Sequence, residues 1–270
     1  MHDQQFDSIN YKLSEVEHKY GPNCHLFADP FLLSHLAQLC FEETKQPLIN
    51  ELLTTIYLSL LRIVVNNEFP IKMTNIKTRM AKDHPDSLLR YPMINPATPI
   101  VSVSLARAGT LPSHICFNAL NYFMLPEKVR QDHISIGRMT DDQHKVTGSR
   151  IASHKVGGDI NDAIVLFPDP MGATGGTIIE AIEFYKSHGG KALKYIALHC
   201  IVTPEYLNRV QSLHPDLIVY AVRLDRGLSS SEVLSTIPGT FRDRERGLND
   251  KHYIVPGGGG FGEIINNAYV

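Results

Sequence analysis

The segment Val165-Leu166-Phe167-Pro168-Asp169-Pro170-Met171-Gly172-Ala173-Thr174-Gly175-Gly176-Thr177 carries the densest chemistry in the chain. An almost wholly apolar run, Ala163 to Phe167, delivers an acidic residue at its end. A glycine-rich turn then leads into a helical stretch, Ile178 to Ser187. Successive backbone N–H groups, two threonine hydroxyls and a helix N-terminus together make a site for an anion. Gly175 and Gly176 let the backbone come close to a phosphate. The Lys of the nucleoside-triphosphate loop G-x-x-x-x-G-K-[ST] is missing, so that class is excluded. Glycines alone would indicate only a tight strand–helix turn. The strand-end Asp169 with Thr174, Thr177 and the glycines indicates a phosphate site.

Other residues are more ambiguous on their own. Arg107, in Arg107-Ala108-Gly109 after a β-rich run, has the fork geometry that pairs with pyrophosphate, but an Arg after a strand is more often a solvated charge. Asp225 follows another β-rich run and reads equally as a turn or cap residue and as a ligand-facing acid. Asp141-Asp142 reads as a solvated loop, or as an aid to Mg²⁺ binding. The thirteen histidines include no H-E-x-x-H pattern, and His144, His154 and His252 read as surface or loop residues. The run Arg242-Asp243-Arg244-Glu245-Arg246 alternates in sign and reads as a solvated loop. Gly257-x-Gly259-x-x-Gly262 matches a dinucleotide fingerprint formally, but the chain after it is too short for a βαβ unit.

The elements that must position these residues follow from periodicity. Short β-rich runs at Pro99–Ser104, His133–Ile136, Ala163–Phe167, Tyr195–Val202 and Leu217–Val222 alternate with helical stretches, among them Leu111–Met124 and one opened by Pro204. That alternation predicts an α/β fold, a mostly parallel sheet with helices on both faces. Ligands then bind at the carboxyl ends of strands. The N-terminal third reads as helical. Apolar pairs recur every four residues from Leu48-Ile49 to Val64-Val65, and Phe31 to Cys40 forms a preceding helix with Asp29 as cap and Pro30 just inside it. We expect an N-terminal helical segment, 1–97, packed on a core formed by 98–270.

Composition excludes other classes. The 270 residues carry 26 Lys+Arg against 28 Asp+Glu, a net charge of −2, with 43% hydrophobic residues, so a nucleic-acid backbone is not an expected partner. The longest apolar stretch is broken by Arg62, so no membrane span is expected. The polar N-terminal decapeptide does not read as a secretory signal. Cys24, Cys40, Cys116 and Cys200 are scattered, without a C-x-x-C pair, which suits a reducing cytoplasm and argues against a disulfide framework or a zinc site.

Asp169-Pro170-Met171-Gly172-Ala173-Thr174-Gly175-Gly176-Thr177 resembles the phosphoribosyl-pyrophosphate (PRPP) motif of type I phosphoribosyltransferases, most of which have two acidic residues at the 169–170 position. The Asp-Pro-Met start is similar to the uracil phosphoribosyltransferases. Leu105-Ala106-Arg107-Ala108-Gly109 resembles the family's pyrophosphate loop. Thr203-Pro204-Glu205, His214-Pro215-Asp216 and Leu224-Asp225-Arg226-Gly227-Leu228 fall at the family's spacing. Tyr253-Ile254-Val255-Pro256-Gly257-Gly258-Gly259-Gly260-Phe261-Gly262-Glu263 resembles its uracil loop, usually Tyr-Ile-x-Pro-Gly-x-Gly-[Asp/Asn]-x-Gly-Asp-Arg. The resemblance covers roughly residues 98–265, in the family's order. This chain departs from the pattern at Gly260, at Glu263-Ile264, after the second strand (Gly137-Arg138-Met139-Thr140-Asp141) and in extra Ser- and Arg-rich chain at 229–247.

The resemblance implies a type I phosphoribosyltransferase fold and transfer of the phosphoribosyl group of PRPP to uracil, giving UMP and pyrophosphate. It implies catalytic roles for Asp169 and Arg107. PRPP would be held by Arg107, Gly109, Asp169, Met171, Ala173, Thr174, Gly175, Gly176 and Thr177. Uracil would be received by Tyr253, Ile254, Gly259, Phe261, Gly262 and Glu263, mainly through backbone groups, because side chains would hold a flat base too far away. The implied cofactor is Mg²⁺, bound mainly through PRPP. The implied partners are the two substrates and further copies of this chain, with no nucleic acid or membrane. The departures leave two alternatives open: a phosphoribosyltransferase for another base, and a non-catalytic nucleotide-binding regulator of the same fold.

Overall fold

The computed structural model describes residues 4–140 and 146–268. In chain order the elements are β1 (Cys24–Leu26), α1 (Pro30–Cys40), α2 (Leu48–Glu68), β2 (Ile71–Ile76), β3 (Leu89–Ile94), β4 (Ile100–Ala106), α3 (Thr110–Leu120), β5 (Val129–Thr140), β6 (Val146–Lys155), β7 (Ile164–Pro168), β8 (Met171–Gly172), α4 (Gly176–His188), β9 (Lys194–Val202), α5 (Pro204–Leu213), β10 (Leu217–Leu224), α6 (Ser231–Leu234) and α7 (Phe261–Ile264). Asp141, Asp142 and His144 lie outside the described residues.

The main sheet has the order β1-β10-β9-β7-β4-β5-β6, with β8 paired to β9. Its ladders are parallel except β5–β6. Side chains alternate across it, as the period of two requires. Ile164 and Leu166 face a layer built with Leu36, Leu53, Ile56, Leu60 and Cys116 of α1 to α3. Val165 and Phe167 face the opposite layer, with Ile178 and Ile182 of α4 and Leu207 and Val210 of α5. Helices therefore cover both faces, and β7 is buried along its whole length.

The predicted first helix is present, with Asp29 accepting a hydrogen bond from Leu32 N at 3.1 Å. The N-terminal third is not wholly helical, however. β1 extends the main sheet in parallel register with β10, Cys24 opposite Val219. β2 and β3 form a separate antiparallel hairpin, Ile71 opposite Ile94. Both strands of that hairpin are exposed or half-buried along their length, so no apolar alternation marks them. β6 is unreadable for the same reason. It is an edge strand whose residues 152–155 are exposed.

Two further expectations are corrected. α2 is 21 residues long and contains an 18-residue stretch of mean hydropathy 1.6, enough by length and composition to cross a membrane. Arg62 does not interrupt its apolar stripe, because it lies on the exposed side. Leu53, Ile56, Tyr57, Leu60 and Val64 are buried against the sheet, and the Tyr57 hydroxyl donates to Leu198 O at 3.2 Å. The run 242–246 is not simply solvated. Glu245 is fully buried and accepts from Arg226 Nη1 (2.9 Å), Gly239 N (2.7 Å) and the Tyr20 hydroxyl. A buried acid is tolerable when a guanidinium and hydrogen bonds satisfy it, and these partners are remote in sequence.

The shared core makes α2 an integral layer of the fold. Replacing Leu60 by Ala is expected to cost about 2–5 kcal/mol, read as a fall in the urea midpoint at constant slope. A loss below about 1 kcal/mol would show that α2 is not part of the core.

Candidate active site

β10, β9, β7 and β4 are consecutive parallel neighbours, so their carboxyl ends lie side by side. Asp225, Thr203, Asp169 and Arg107 follow these ends directly. A sheet of this kind offers its ligand crevice there.

Asp169 is the pivot. It is 9% exposed, and its Oδ1 accepts from Met171 N at 3.2 Å. Burial pushes its carboxyl up to about 6, an effect the Met171 N–H only partly offsets. The residue that fixes its backbone belongs to no motif in the sequence. His199, fully buried in β9, contacts Asp169 O through Nδ1 at 2.5 Å and the Tyr206 hydroxyl through Nε2 at 2.7 Å. A carbonyl only accepts, so Nδ1 carries the proton and Nε2 accepts from Tyr206. Burial pushes the His199 imidazole down to about 4 and raises the Tyr206 phenol, so both are neutral at pH 7. The available signal was a histidine inside an otherwise apolar strand.

The turn after Asp169 is braced from α5. Thr203 Oγ1 donates to Ala173 O at 2.7 Å and caps α5 by accepting from Tyr206 N at 3.0 Å. Arg209 Nη1 donates to Thr174 O at 3.2 Å. Gly175 has φ +79° and precedes α4, whose first-turn N–H groups have no carbonyl within the helix. Among the described residues no hydrogen bond engages the hydroxyl of Thr174 or Thr177. The reason for glycine at 175 differs from the expected one. A Cβ there would sit 2.9 Å from Val210 Cγ1, in the core beneath the turn, and the backbone is left-handed.

Arg107 and Gly109 lie on the neighbouring loop. An added Cβ on Gly109 would lie 2.9 Å from Leu105 O and 3.0 Å from Pro168 O, so only glycine lets this loop close on the end of β7. The Arg107 guanidinium donates to Ala268 O at 3.0 Å and lies 3.7 Å from Glu263 Oε1.

The C-terminal glycine-rich loop is clamped to the strand ends. Asp225 is buried and pairs with Arg223 through two bonds, at 2.5 and 2.8 Å. It also accepts from Gly257 N at 2.8 Å, while Arg223 donates to Gly257 O at 3.0 Å. Asp225 is therefore neither a simple turn residue nor free to face a ligand. Glu205 accepts from Gly247 N (3.0 Å) and Leu248 N (3.3 Å). Leu248 and Ile254 form an antiparallel bridge flanked by Asn249 N to Tyr253 O and Val255 N to Gly247 O, which leaves the Ile254 N–H and C=O out of those bonds. The Tyr253 side chain is about half exposed. At Phe261 only the backbone is left for the expected base contact. Its ring is buried in the core, packed under Gly258, so its side chain anchors the loop. Gly259 and Gly262 have open space where a Cβ would be.

The described residues contain no cluster of three or more His, Cys, Asp or Glu suited to a metal. Asp225 and Glu205 turn their oxygens to Arg223 and backbone N–H groups, while Asp169 stands at the end of β7 and Glu263 on the C-terminal loop.

A glycine-rich turn at a strand tip, with a basic loop and a glycine-rich C-terminal loop beside it on a doubly covered parallel sheet, is the arrangement of the type I phosphoribosyltransferase fold. The family model for uracil phosphoribosyltransferase matches residues 26–267, and the chain belongs to that family. It is 27% identical over 249 residues to the uracil phosphoribosyltransferase of Campylobacter fetus subsp. fetus (strain 82-40), covering 92% of this chain and 99% of that one. It is 35% identical over 111 residues to that of Shouchella clausii (strain KSM-K16), over 41% of this chain and 43% of the relative. The fold is similar to that of the AQ2163 protein from Aquifex aeolicus, with TM-score 0.69 and 21% identity over 92% of this chain and 99% of that one.

The raised carboxyl of Asp169 has a consequence for stability. The folded protein holds this proton up to about pH 6, the unfolded chain only to about 3.8. The group's contribution is therefore fully present below the lower value and lost as pH rises through the upper one. Asp169→Asn is expected to be more stable than the parent at neutral pH by about 2–3 kcal/mol, with the gap closing towards pH 4. Urea unfolding across that range checks it, and a pH-independent difference would contradict it.

Proposed function

We propose that this chain transfers the phosphoribosyl group of PRPP to uracil. The bond from the anomeric carbon to the pyrophosphate oxygen breaks, a bond to the uracil nitrogen forms, that nitrogen loses its proton, and UMP and pyrophosphate leave. What supports this most is the convergence at the end of β7. A backbone anion turn, a buried carboxyl and a basic loop lie beside a clamped glycine-rich loop in which Ile254 keeps its N–H and C=O out of the flanking bonds.

In this reading the N–H groups and hydroxyls of Ala173 to Thr177 hold the 5′-phosphate. Met171 positions the Asp169 carboxyl through its N–H. Asp169 faces the ribose, where its negative charge offsets the positive charge that develops at the anomeric carbon as the leaving group departs. Arg107 and Gly109 receive pyrophosphate. Uracil lies with its polar edge along the backbone from Ile254 to Gly262, over a platform that Asp225 and Phe261 hold in place. Arg107 would share the pyrophosphate with Mg²⁺, which would enter with PRPP and add positive charge at the leaving group; hard oxygen donors suit it. The cytoplasm is the proposed setting, supported by four free cysteines.

The test is pyrophosphate release from PRPP and Mg²⁺ with a panel of bases. Uracil is expected to give turnover and purines none; release with a purine alone would replace the base assignment. Asp169→Asn is expected to lower kcat by on the order of 10-fold or more, with a smaller change in the KM for PRPP. In the parent enzyme kcat/KM is expected to rise with pH through about 6, where Asp169 loses its proton. An unchanged kcat in the Asn variant would remove Asp169 from the chemistry.

A further inference from the structure

Glu263 and Gly260 form a pair that the loop's sequence pattern does not explain. Gly260 has φ −84° and ψ 89°, a backbone that many residues adopt, so conformation does not require glycine there. Space does. A Cβ on Gly260 would lie 1.9 Å from Glu263 Oε2 and 2.9 Å from its Cδ. The Glu263 side chain thus folds back over residue 260 and fills the volume that a side chain at 260 would take. Its other oxygen, Oε1, is 3.7 Å from Arg107 Nη2. The same guanidinium donates to Ala268 O, and Ala268 N bonds to Glu263 O at 3.1 Å, so one short turn supplies both acceptors. Gln46 Nε2 holds that turn through Ile265 O at 2.8 Å.

We infer that Glu263, seated over Gly260, is an internal anion that occupies Arg107 until the pyrophosphate group of the substrate displaces it. This rests on the assignment of Arg107 to pyrophosphate. The balance of forces suits such an exchange. The pair is open to solvent, with side chains 41% and 27% exposed, and longer than a hydrogen-bonded pair, so its hold is weak. Pyrophosphate brings several negative charges and oxygens spaced for the guanidinium fork, a much stronger partner. The contact lowers the affinity of any anion for Arg107 by a few-fold, a cost that a pyrophosphate outweighs more readily than a weakly charged group does.

The experiment is calorimetry of inorganic pyrophosphate with the full chain and four variants. Glu263→Gln removes the competing charge, and Gly260→Ala displaces it without touching either partner. Each is expected to tighten pyrophosphate binding by about two- to five-fold, the size an exposed ion pair gives. The double variant is expected to gain no more than either single one, because both act through one contact. A gain in affinity is a change that mere damage to the loop does not produce. Arg107→Ala is expected to weaken binding by on the order of 10-fold or more, as loss of a charged hydrogen-bonding partner does. If Arg107→Ala weakens binding while Glu263→Gln and Gly260→Ala leave it unchanged or weaker, the inference is overturned and the proposed function stands. If Arg107→Ala has no effect, the pyrophosphate assignment itself fails.

Discussion

A carboxyl group at the end of a wholly apolar strand is unfavourable, and the surroundings of Asp169 are built around that constraint. The strand must be buried on both faces to hold its end rigid, and burial then drives the carboxyl up to about 6. The chain keeps the group in place by gripping its backbone rather than by pairing its charge. His199 takes the Asp169 carbonyl, Tyr206 takes His199, and Thr203 caps the helix that carries Tyr206 while holding Ala173. One connected set of neutral hydrogen bonds therefore fixes both the acid and the glycine-rich turn beside it. Neutral partners leave the carboxylate free to respond to charge in a ligand.

The same economy governs the C-terminal loop. Its glycines give it no side chains to pack, so neighbouring strands supply the order. Asp225, fixed by Arg223, holds Gly257, and Phe261 roots the far end in the core. Gly257, at φ +63°, passes so close to Ile254 O that a Cβ would lie 2.2 Å away. Glu245 and Arg226 brace the extra chain at 229–247, and Glu205 fixes the N–H groups of Gly247 and Leu248 where that chain enters the C-terminal glycine-rich loop. The insertion thus ends in the scaffold of the site.

Much of this was legible in the sequence because the signals were local. Buried parallel strands appear as apolar runs, and Ala163–Phe167 locates β7 to within a residue. The turn chemistry after Asp169 is contiguous, as is the base loop. What stayed hidden depends on partners far apart in the chain. His199 looks like a stray polar residue until Asp169 and Tyr206 surround it. The buried state of Glu245 depends on Tyr20 and Arg226. The β2–β3 hairpin and residues 152–155 of β6 are mostly exposed, so periodicity has little to detect there. The burial of the Phe261 ring depends on the core beneath the loop, which the contiguous loop sequence does not show.

The central claim is that one crevice, at the carboxyl ends of β4, β7, β9 and β10, holds both the phosphoribosyl group and the base. A crystal structure of the protein with UMP tests it most directly. The account expects the 5′-phosphate within hydrogen-bonding distance of the backbone N–H groups of Ala173 to Thr177, the ribose beside Asp169, and the pyrimidine edge against the backbone of Ile254 to Gly262. A phosphate bound away from the 173–177 turn, or a base seated away from the C-terminal loop, would contradict it.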